Sequence, residues 1–195
     1  MTISSLRSEC LTAGRVKGVI VRAHLQFVRD RLGEAALAAT RSALPPAVLA
    51  EVQGILPSTW CSFESLIILD RTIAGVAGRD EREVMHDLGR YSAQINLSTV
   101  YSAFHRDDIH DFFRNSARLH RQFQDFGECK YELAGKTQGR ISVCNSACYS
   151  PAYCASEAGY LEQVIAAHNG KAASVTESAC QCAGDDHCTF ELRWT

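Results

Sequence analysis

The pattern of apolar and polar residues changes once along the chain, near Gly127. Before this point, apolar residues recur every three or four positions, which predicts helices. After it, short segments alternate between apolar and polar residues, which predicts β-strands. The pattern therefore predicts a helical part over about residues 1–126, followed by a sheet-plus-helix part over about residues 127–195.

Residues that begin or end helices mark several boundaries in the first part. Residues 15–23 form a β-branched run whose period does not decide between strand and helix. Gly33 should break the helix that follows, and the Pro45–Pro46 pair should end one helix and open another. N-caps are predicted where a Ser or Asp precedes an apolar helix: Ser62, Asp80, and Asp107 or Asp108. The last of these helices, about 109–126, should end at Gly127.

Two hairpins and one helix are predicted in the second part. The segments ECKYEL and RISVC form a hairpin with a loop of about five residues, with Cys129 and Leu133 on its inner face. A helix follows from Pro151 to Asn169-Gly170, and then KAASVTESACQC and HCTFELRW form the second hairpin. This order predicts an α+β fold, with an N-terminal helical layer packed on a four-stranded antiparallel sheet made of two hairpins separated by a helix.

Composition and charge narrow the function classes. The chain has 195 residues, of which 46% are hydrophobic and 22% charged, so a single domain over 1–195 is expected. The formal net charge of −2 gives no basic footprint for nucleic acid. No apolar run approaches a membrane span of about 20 residues, and the N-terminal segment lacks the apolar stretch of a signal peptide. We therefore expect a cytoplasmic protein with no membrane span that does not bind nucleic acid directly.

The C-terminal stretch holds four of the nine cysteines, namely Cys154, Cys180, Cys182 and Cys188, together with Glu177. Cysteines stay reduced in the cytosol, so a cluster there indicates metal binding or reactivity rather than disulfides. Thiolates and a carboxylate can close a tetrahedral zinc site if the predicted helix packs over the second hairpin. The spacing contains no CxxC pair, and it leaves open the alternative that these are buried, inert thiols.

Other candidate ligands lie nearby. Cys182 follows Cys180 by two residues in a predicted strand, so both should lie on the same face. Cys182 is then either a replacement ligand or a bystander. His187 is a further candidate, and Cys144 and Cys148 form a C-x3-C pair that suits a second metal or a redox role. The chain has no GxGxxG, P-loop, GxSxG or HExxH motif. We therefore predict no catalytic residue and no enzyme activity.

The segment PAYCASEAGY…VTESACQCAGDDHCTFELRW resembles the C-terminal half of the 4-vinyl reductase domain. That domain shares a fold group with the small transport-protein-particle subunits that tether vesicles. It also forms the aromatic-effector sensor of some bacterial transcriptional activators, where a structural zinc lies beside the ligand. The resemblance implies a structural zinc as cofactor, held by Cys154, Glu177, Cys180 and Cys188. The front of the chain, VKGVIVRAHLQFVRDRLGEAAL and LPSTWCSFESLIIL, resembles an uncharacterised paralogous family of about this length from myxobacteria.

Three residues are candidates for contacting a ligand. Sensor relatives use a histidine upstream of the zinc segment, which implies His105 here, and the alternative is a helix-end cation. Trp60 and Phe112 are candidates to line an apolar pocket, and the alternative for both is ordinary core packing.

The expected function is a non-enzymatic sensor or regulatory domain that binds an apolar or aromatic small molecule. The ligand should lie between the helical layer and the sheet, and the domain should act through a protein partner or as a homodimer. One alternative is a scaffold like the vesicle-tethering subunits, and another is an enzyme of tetrapyrrole or aromatic metabolism. A sensor should contain a continuous apolar cavity of several hundred Å³, on the order of other ligand sites, with one or two polar groups. A scaffold should have a fully packed core.

Overall fold

The computed structural model describes residues 9–99 and 108–195. These ranges contain seven α-helices: α1 (Gly18–Phe27), α2 (Glu34–Ala43), α3 (Pro46–Val52), α4 (Phe63–Ala77), α5 (Glu81–Ser98), α6 (Ile109–Phe123) and α7 (Pro151–Ala167). They also contain six strands: β1 (Arg15–Lys17), β2 (Trp60–Ser62), β3 (Glu128–Gly135), β4 (Gln138–Cys144), β5 (Ser174–Ala179) and β6 (Cys188–Arg193). Among these described helices, none is long and apolar enough to cross a membrane.

The second part of the chain forms a four-stranded antiparallel sheet in the order β3-β4-β6-β5. Each predicted hairpin is present, and the two hairpins join through β4 and β6, where Ile141 lies opposite Phe190. Helix α7 connects the hairpins. The predicted α+β arrangement of a helical layer and a sheet of two hairpins is therefore confirmed.

Local caps set where three of the helices begin. Ser62 accepts a hydrogen bond from the backbone N–H of Ser65 and caps α4, and Asp80 accepts one from the N–H of Glu83 and caps α5. Asp108 caps α6. Each cap gives an acceptor to an amide that the first turn leaves unpaired, which is why these starts could be predicted from the sequence.

Three local predictions are wrong. Helix α6 ends at Phe123, because the chain is already extended at Gln124, and Gly127 with a φ of +70° leads into β3 instead of ending the helix. The β3–β4 loop has two residues rather than five, because both strands extend into the predicted loop. Leu133, predicted to face inward, is 55% exposed. The ambiguous run at 15–23 divides into β1, which pairs with β2, and the start of α1.

Two glycines bring α5 and α7 into close contact. A Cβ at Gly89 would lie 1.8 Å from the carbonyl oxygen of Ser156, and one at Gly159 would lie 2.0 Å from that of His86. The two backbones therefore approach more closely than any side chain at these positions would allow. Residues on α7, such as Ile165, also pack with core residues of the sheet. Helix α7 thus joins the helical layer to the sheet, and a single domain over 1–195 stays a prediction.

Candidate functional site

The four predicted metal ligands lie together at one end of the sheet. The Sγ of Cys154 is 4.0 Å from the Sγ of Cys180 and 3.8 Å from the Sγ of Cys188. With a carboxylate oxygen of Glu177, the four candidate ligand atoms all lie within 4.8 Å of one another. We call these four residues the thiol cluster. The structure brings the predicted group together, and metal binding there stays a prediction.

Three elements place the thiol cluster. Cys154 lies in the first turn of α7, and Cys188 is the first residue of β6. Glu177 lies beside a bulge in β5, and Cys180 follows the end of that strand. The backbone N–H of Cys180 donates to Asp185 Oδ2 at 2.7 Å, which holds the turn between β5 and β6 closed. The cluster therefore joins the helix to the second hairpin.

Burial and hydrogen bonding shift the pKa values of the residues in the thiol cluster. Cys154 keeps its proton and shares it with Cys180, and this hydrogen bond raises the pKa of Cys154 and lowers the pKa of Cys180. Burial raises the pKa of Glu177 to about 7. Its Oε1 is buried and has no hydrogen-bond partner among the described residues. The thiol cluster thus combines soft sulfur ligands with a carboxylate that has one unpaired oxygen among the described residues.

The other candidate ligands do not join the cluster. The prediction that Cys182 shares a strand face with Cys180 is wrong, because residues 181–183 form a 3₁₀ turn instead of continuing the strand. His187, Cys144 and Cys148 also lie outside the set of converging ligand atoms in the described ranges.

A cavity lies between the helical layer and the sheet. It has a volume of about 110 Å³, and we call it the central cavity. Its helical walls come from α1, α5, α6 and α7, and its sheet wall from Cys129 and Ile141. This volume is smaller than we expected for a sensor, but it also differs from the fully packed core expected for a scaffold.

A side cavity of about 50 Å³ adjoins the central cavity. His120, Tyr153 and Glu157 line both cavities. The side cavity also reaches Cys154 and Cys188. The space between the layers therefore extends from α5 to the thiol cluster.

Several polar groups on the cavity walls lack partners. Ser92 Oγ and Asn96 Oδ1, both on α5, are buried with no hydrogen-bond partner among residues 9–99 and 108–195, and both residues line the central cavity. Glu157 forms no hydrogen bond or ion pair with another described residue. Burial raises the pKa of Glu157 to about 7. The walls are thus more polar than the apolar pocket we expected.

Two histidines also line the central cavity. His24 and Asp70 are 2% and 0% exposed, and His24 Nδ1 lies 2.6 Å from Asp70 Oδ1, which leaves Nε2 as the remaining ring nitrogen of His24. His120 Nε2 lies 3.0 Å from the carbonyl oxygen of Phe126, and its Nδ1 lies 3.3 Å from the side-chain amide of Gln124. Burial lowers the pKa of His120. A neutral His120 with both ring nitrogens engaged accounts for this geometry.

The three predicted ligand contacts have different positions. Phe112 lines the central cavity. Trp60 does not; it lies on β2, where the Lys17 Nζ is 4.0 Å from its ring centroid. His105 lies outside the described residues.

Sequence reasoning did not single out the polar groups of the cavity, Ser92, Asn96, Glu157 and His24. A charged residue within a mostly apolar helix was a signal in α4 and α7, whereas Ser92 and Asn96 lie on the polar helix α5 and carried none. Asp70 in α4 and Glu157 in α7 carry that signal most clearly.

Comparison with known proteins identifies the fold. No family model matches the chain, and no curated protein does. An H-NOX protein from S. oneidensis in the Fe(II)NO ligation state matches with a TM-score of 0.72 at 13% identity, covering 92% of this chain and 99% of that one. An Fe(II) unliganded H-NOX protein from K. algicida matches with a TM-score of 0.70 at 10% identity, covering 92% and 96%. A structure that probes heme distortion in the H-NOX family matches with a TM-score of 0.70 at 14% identity, covering 92% and 95%.

These matches correct two predictions. The assignment to the 4-vinyl reductase domain, the vesicle-tethering subunits and the myxobacterial family is wrong, because the matching structures are H-NOX proteins and no family model supports it. The prediction of a structural zinc as the cofactor is wrong as well, because the matching proteins are described by Fe(II) or heme. At these identities the comparison shows the fold alone. The described part of the chain has the H-NOX fold, with seven α-helices and a four-stranded antiparallel sheet.

Proposed function

We propose that this chain is a non-enzymatic sensor or regulatory domain that binds a small molecule in the central cavity. The observation that carries the proposal is a set of polar groups that face one space without partners among the described residues: the buried Ser92 Oγ and Asn96 Oδ1, and the half-buried Glu157 carboxyl. Buried polar groups in folded proteins are almost always paired, so such a set indicates a ligand or ordered water. The fold supports this role, since the matching H-NOX proteins are described in Fe(II)NO and unliganded states. Such a domain acts through a protein partner or a second copy of itself.

A heme does not fit the described residues around this space. The two cavities have volumes of about 110 and 50 Å³, whereas sites for drug-sized ligands have volumes of about 300–1,000 Å³. A heme is larger than such ligands. Of the two histidines on the walls, His120 has both ring nitrogens engaged, so His24 is the one with a nitrogen to offer. Among the described residues, the volume rather than the choice of ligand atoms is what does not fit a heme.

The proposal can be tested by filling the central cavity. Ser116 lines it from α6. A library of single-ring compounds is screened by ligand-observed NMR against the wild type, Ser116→Phe, and Ser98→Phe at the exposed end of α5. We expect hits that bind the wild type and Ser98→Phe but not Ser116→Phe. If no compound binds the wild type, or if the compounds bind Ser116→Phe as well as they bind the wild type, the result would count against a ligand site in this cavity.

We also propose that the thiol cluster binds a soft metal ion. Three cysteines and a carboxylate within 4.8 Å of one another provide a complete four-ligand set, and thiolates prefer soft metals. The unpaired Oε1 of Glu177 supports the proposal, because a cation at the centre would give it a partner. Metal content of the purified wild type and of Cys188→Ser is measured by inductively coupled plasma mass spectrometry. One equivalent is expected in the wild type and less in the variant, and a metal-free wild type would refute the site.

A further inference from the structure

The geometry points to a small organic cation as the ligand of the central cavity, with the carboxylate of Glu157 as its anionic anchor. The ligand would carry an ammonium or amidinium group and be about the size of one six-membered ring. This inference rests on the proposed function and names the ligand class for the same site.

Glu157 is a half-buried acid with no ion-pair partner among the described residues. It lies on α7 and lines both cavities, and no described Lys or Arg lines either one. The nearest candidate cations are already committed: His24 bonds to Asp70, and His120 bonds through both ring nitrogens. A partly buried carboxylate has lost part of its hydration, and a bound cation would compensate for that loss.

The neighbouring unpaired groups also suit a donor-rich ligand. An ammonium has three N–H donors and no acceptor. Glu157 offers carboxylate oxygens, and Asn96 Oδ1 and Ser92 Oγ offer two more acceptors on the facing helix α5. Phosphate or carboxylate ligands are disfavoured because these acceptors would repel their oxygens, and no described Lys or Arg lies on the walls to bind them. A purely apolar ligand would leave all three groups unpaired.

The size and the aromatic walls define the rest of the ligand. A dry cavity of about 150 Å³ in another protein holds benzene, so the adjoining central and side cavities, at about 110 and 50 Å³, together suit one ring with a short substituent. Phe112, Phe113 and Phe123 line the central cavity from α6. Aromatic faces attract cations, which favours an organic cation over a neutral molecule of equal size.

Two probes of the same shape and different charge test the inference. Benzylamine is cationic at pH 8, and benzyl alcohol is its neutral counterpart. Binding of each is measured by isothermal titration calorimetry to the wild type, to Glu157→Gln, and to Glu162→Gln. Glu162 is also on α7 but does not line either cavity, and it pairs with His86 at 3.2 Å.

We expect the wild type and Glu162→Gln to bind benzylamine at least about tenfold more tightly than benzyl alcohol, since hydrogen bonds to charged groups are the stronger ones. Glu157→Gln should lose this preference while it keeps its affinity for benzyl alcohol. Equal affinities of the wild type for the two probes would overturn the cationic ligand and still leave the cavity as a ligand site. If neither probe bound, the cationic ligand would also be overturned. The screen of single-ring compounds would then test the proposed function independently. The wild-type comparison holds even if Glu157→Gln does not fold.

Discussion

At the scale of single residues, Glu157 links burial to the pH dependence of stability. Burial raises its pKa from 4.5 to about 7. Below pH 4.5 the acid is protonated in both the folded and unfolded chain, so it carries no penalty. As the pH rises towards 7, the unfolded chain ionises first and the folded state loses stability relative to it. The full shift in pKa corresponds to about 3 kcal/mol of the free energy of unfolding, and the folded chain has lost this stability by pH 8.

Glu157→Gln should remove this pH dependence because it removes the titrating group. The free energy of unfolding is measured by urea denaturation of the wild type and the variant at pH 5 and pH 8. We expect the variant to gain about 2–3 kcal/mol relative to the wild type between these two pH values. Glu162→Gln, on the same helix outside the cavity, should show no such gain. A wild-type-to-variant difference that is equal at both pH values would contradict a buried, unpaired acid at this position.

A site residue could be predicted from the sequence when its neighbours along the chain determine its position, and not when distant elements do. The predicted helix and hairpin made a meeting of Cys154, Cys180 and Cys188 feasible but did not require it, and the full ligand set came from the resemblance to the 4-vinyl reductase domain. Glu157 could not be assigned to a cavity. A polar residue on an apolar helix looks like a solvent-facing position until the layer packed against it is known. The unpaired state of Asn96 likewise depends on which elements surround α5.

At the scale of elements, the crossing of α5 and α7 depends on the absence of side chains. An alanine at Gly159 would place its Cβ 2.0 Å from the backbone oxygen of His86, and backbone cannot move aside as a flexible side chain can. We expect Gly159→Ala to lower the free energy of unfolding by about 1–3 kcal/mol, the usual cost of overpacking. Urea denaturation measures the change.

Gly75 on α4 provides the matched control. A Cβ there would have no heavy atom within 4 Å, so Gly75→Ala should stabilise the chain by up to about 1 kcal/mol through helix propensity. Opposite signs for the two variants are the expected result. A Gly159→Ala protein as stable as Gly75→Ala would mean that the helices do not approach as closely as the structure shows.

Element ends were harder to predict than element starts for a physical reason. A cap such as Ser62 acts on its own first turn and is visible in the sequence. The end of α6 is not visible in the sequence. The apolar Phe126 continues the helical pattern, but it lies beyond the end of the helix and is buried by residues of other elements. Its ring packs against Phe63 at a centroid distance of 4.9 Å. Periodicity cannot distinguish burial within a helix from burial by a distant residue.

At the scale of the whole molecule, the layer architecture could be predicted and its relatives could not. The change of period near Gly127 is enough to separate a helical layer from an antiparallel sheet. The resemblance that suggested a family rested on roughly the last 45 residues of the chain. The H-NOX match instead covers 92% of the chain at 13% identity. What the two proteins share is the arrangement of layers, which few individual residues reveal.

The same arrangement of layers can enclose spaces of very different size, and this sets the last prediction. Here the space between α5, α6, α7 and the sheet is partly filled by aromatic side chains such as Phe112 and Phe113, which leaves about 110 Å³. We therefore expect that hemin titrated into the purified protein keeps the visible absorption spectrum of free hemin. An apoglobin that takes up hemin serves as the positive control. A sharpened Soret band that saturates at one equivalent would contradict the volume argument, because the helical layer would then have to move away from the sheet to admit the macrocycle.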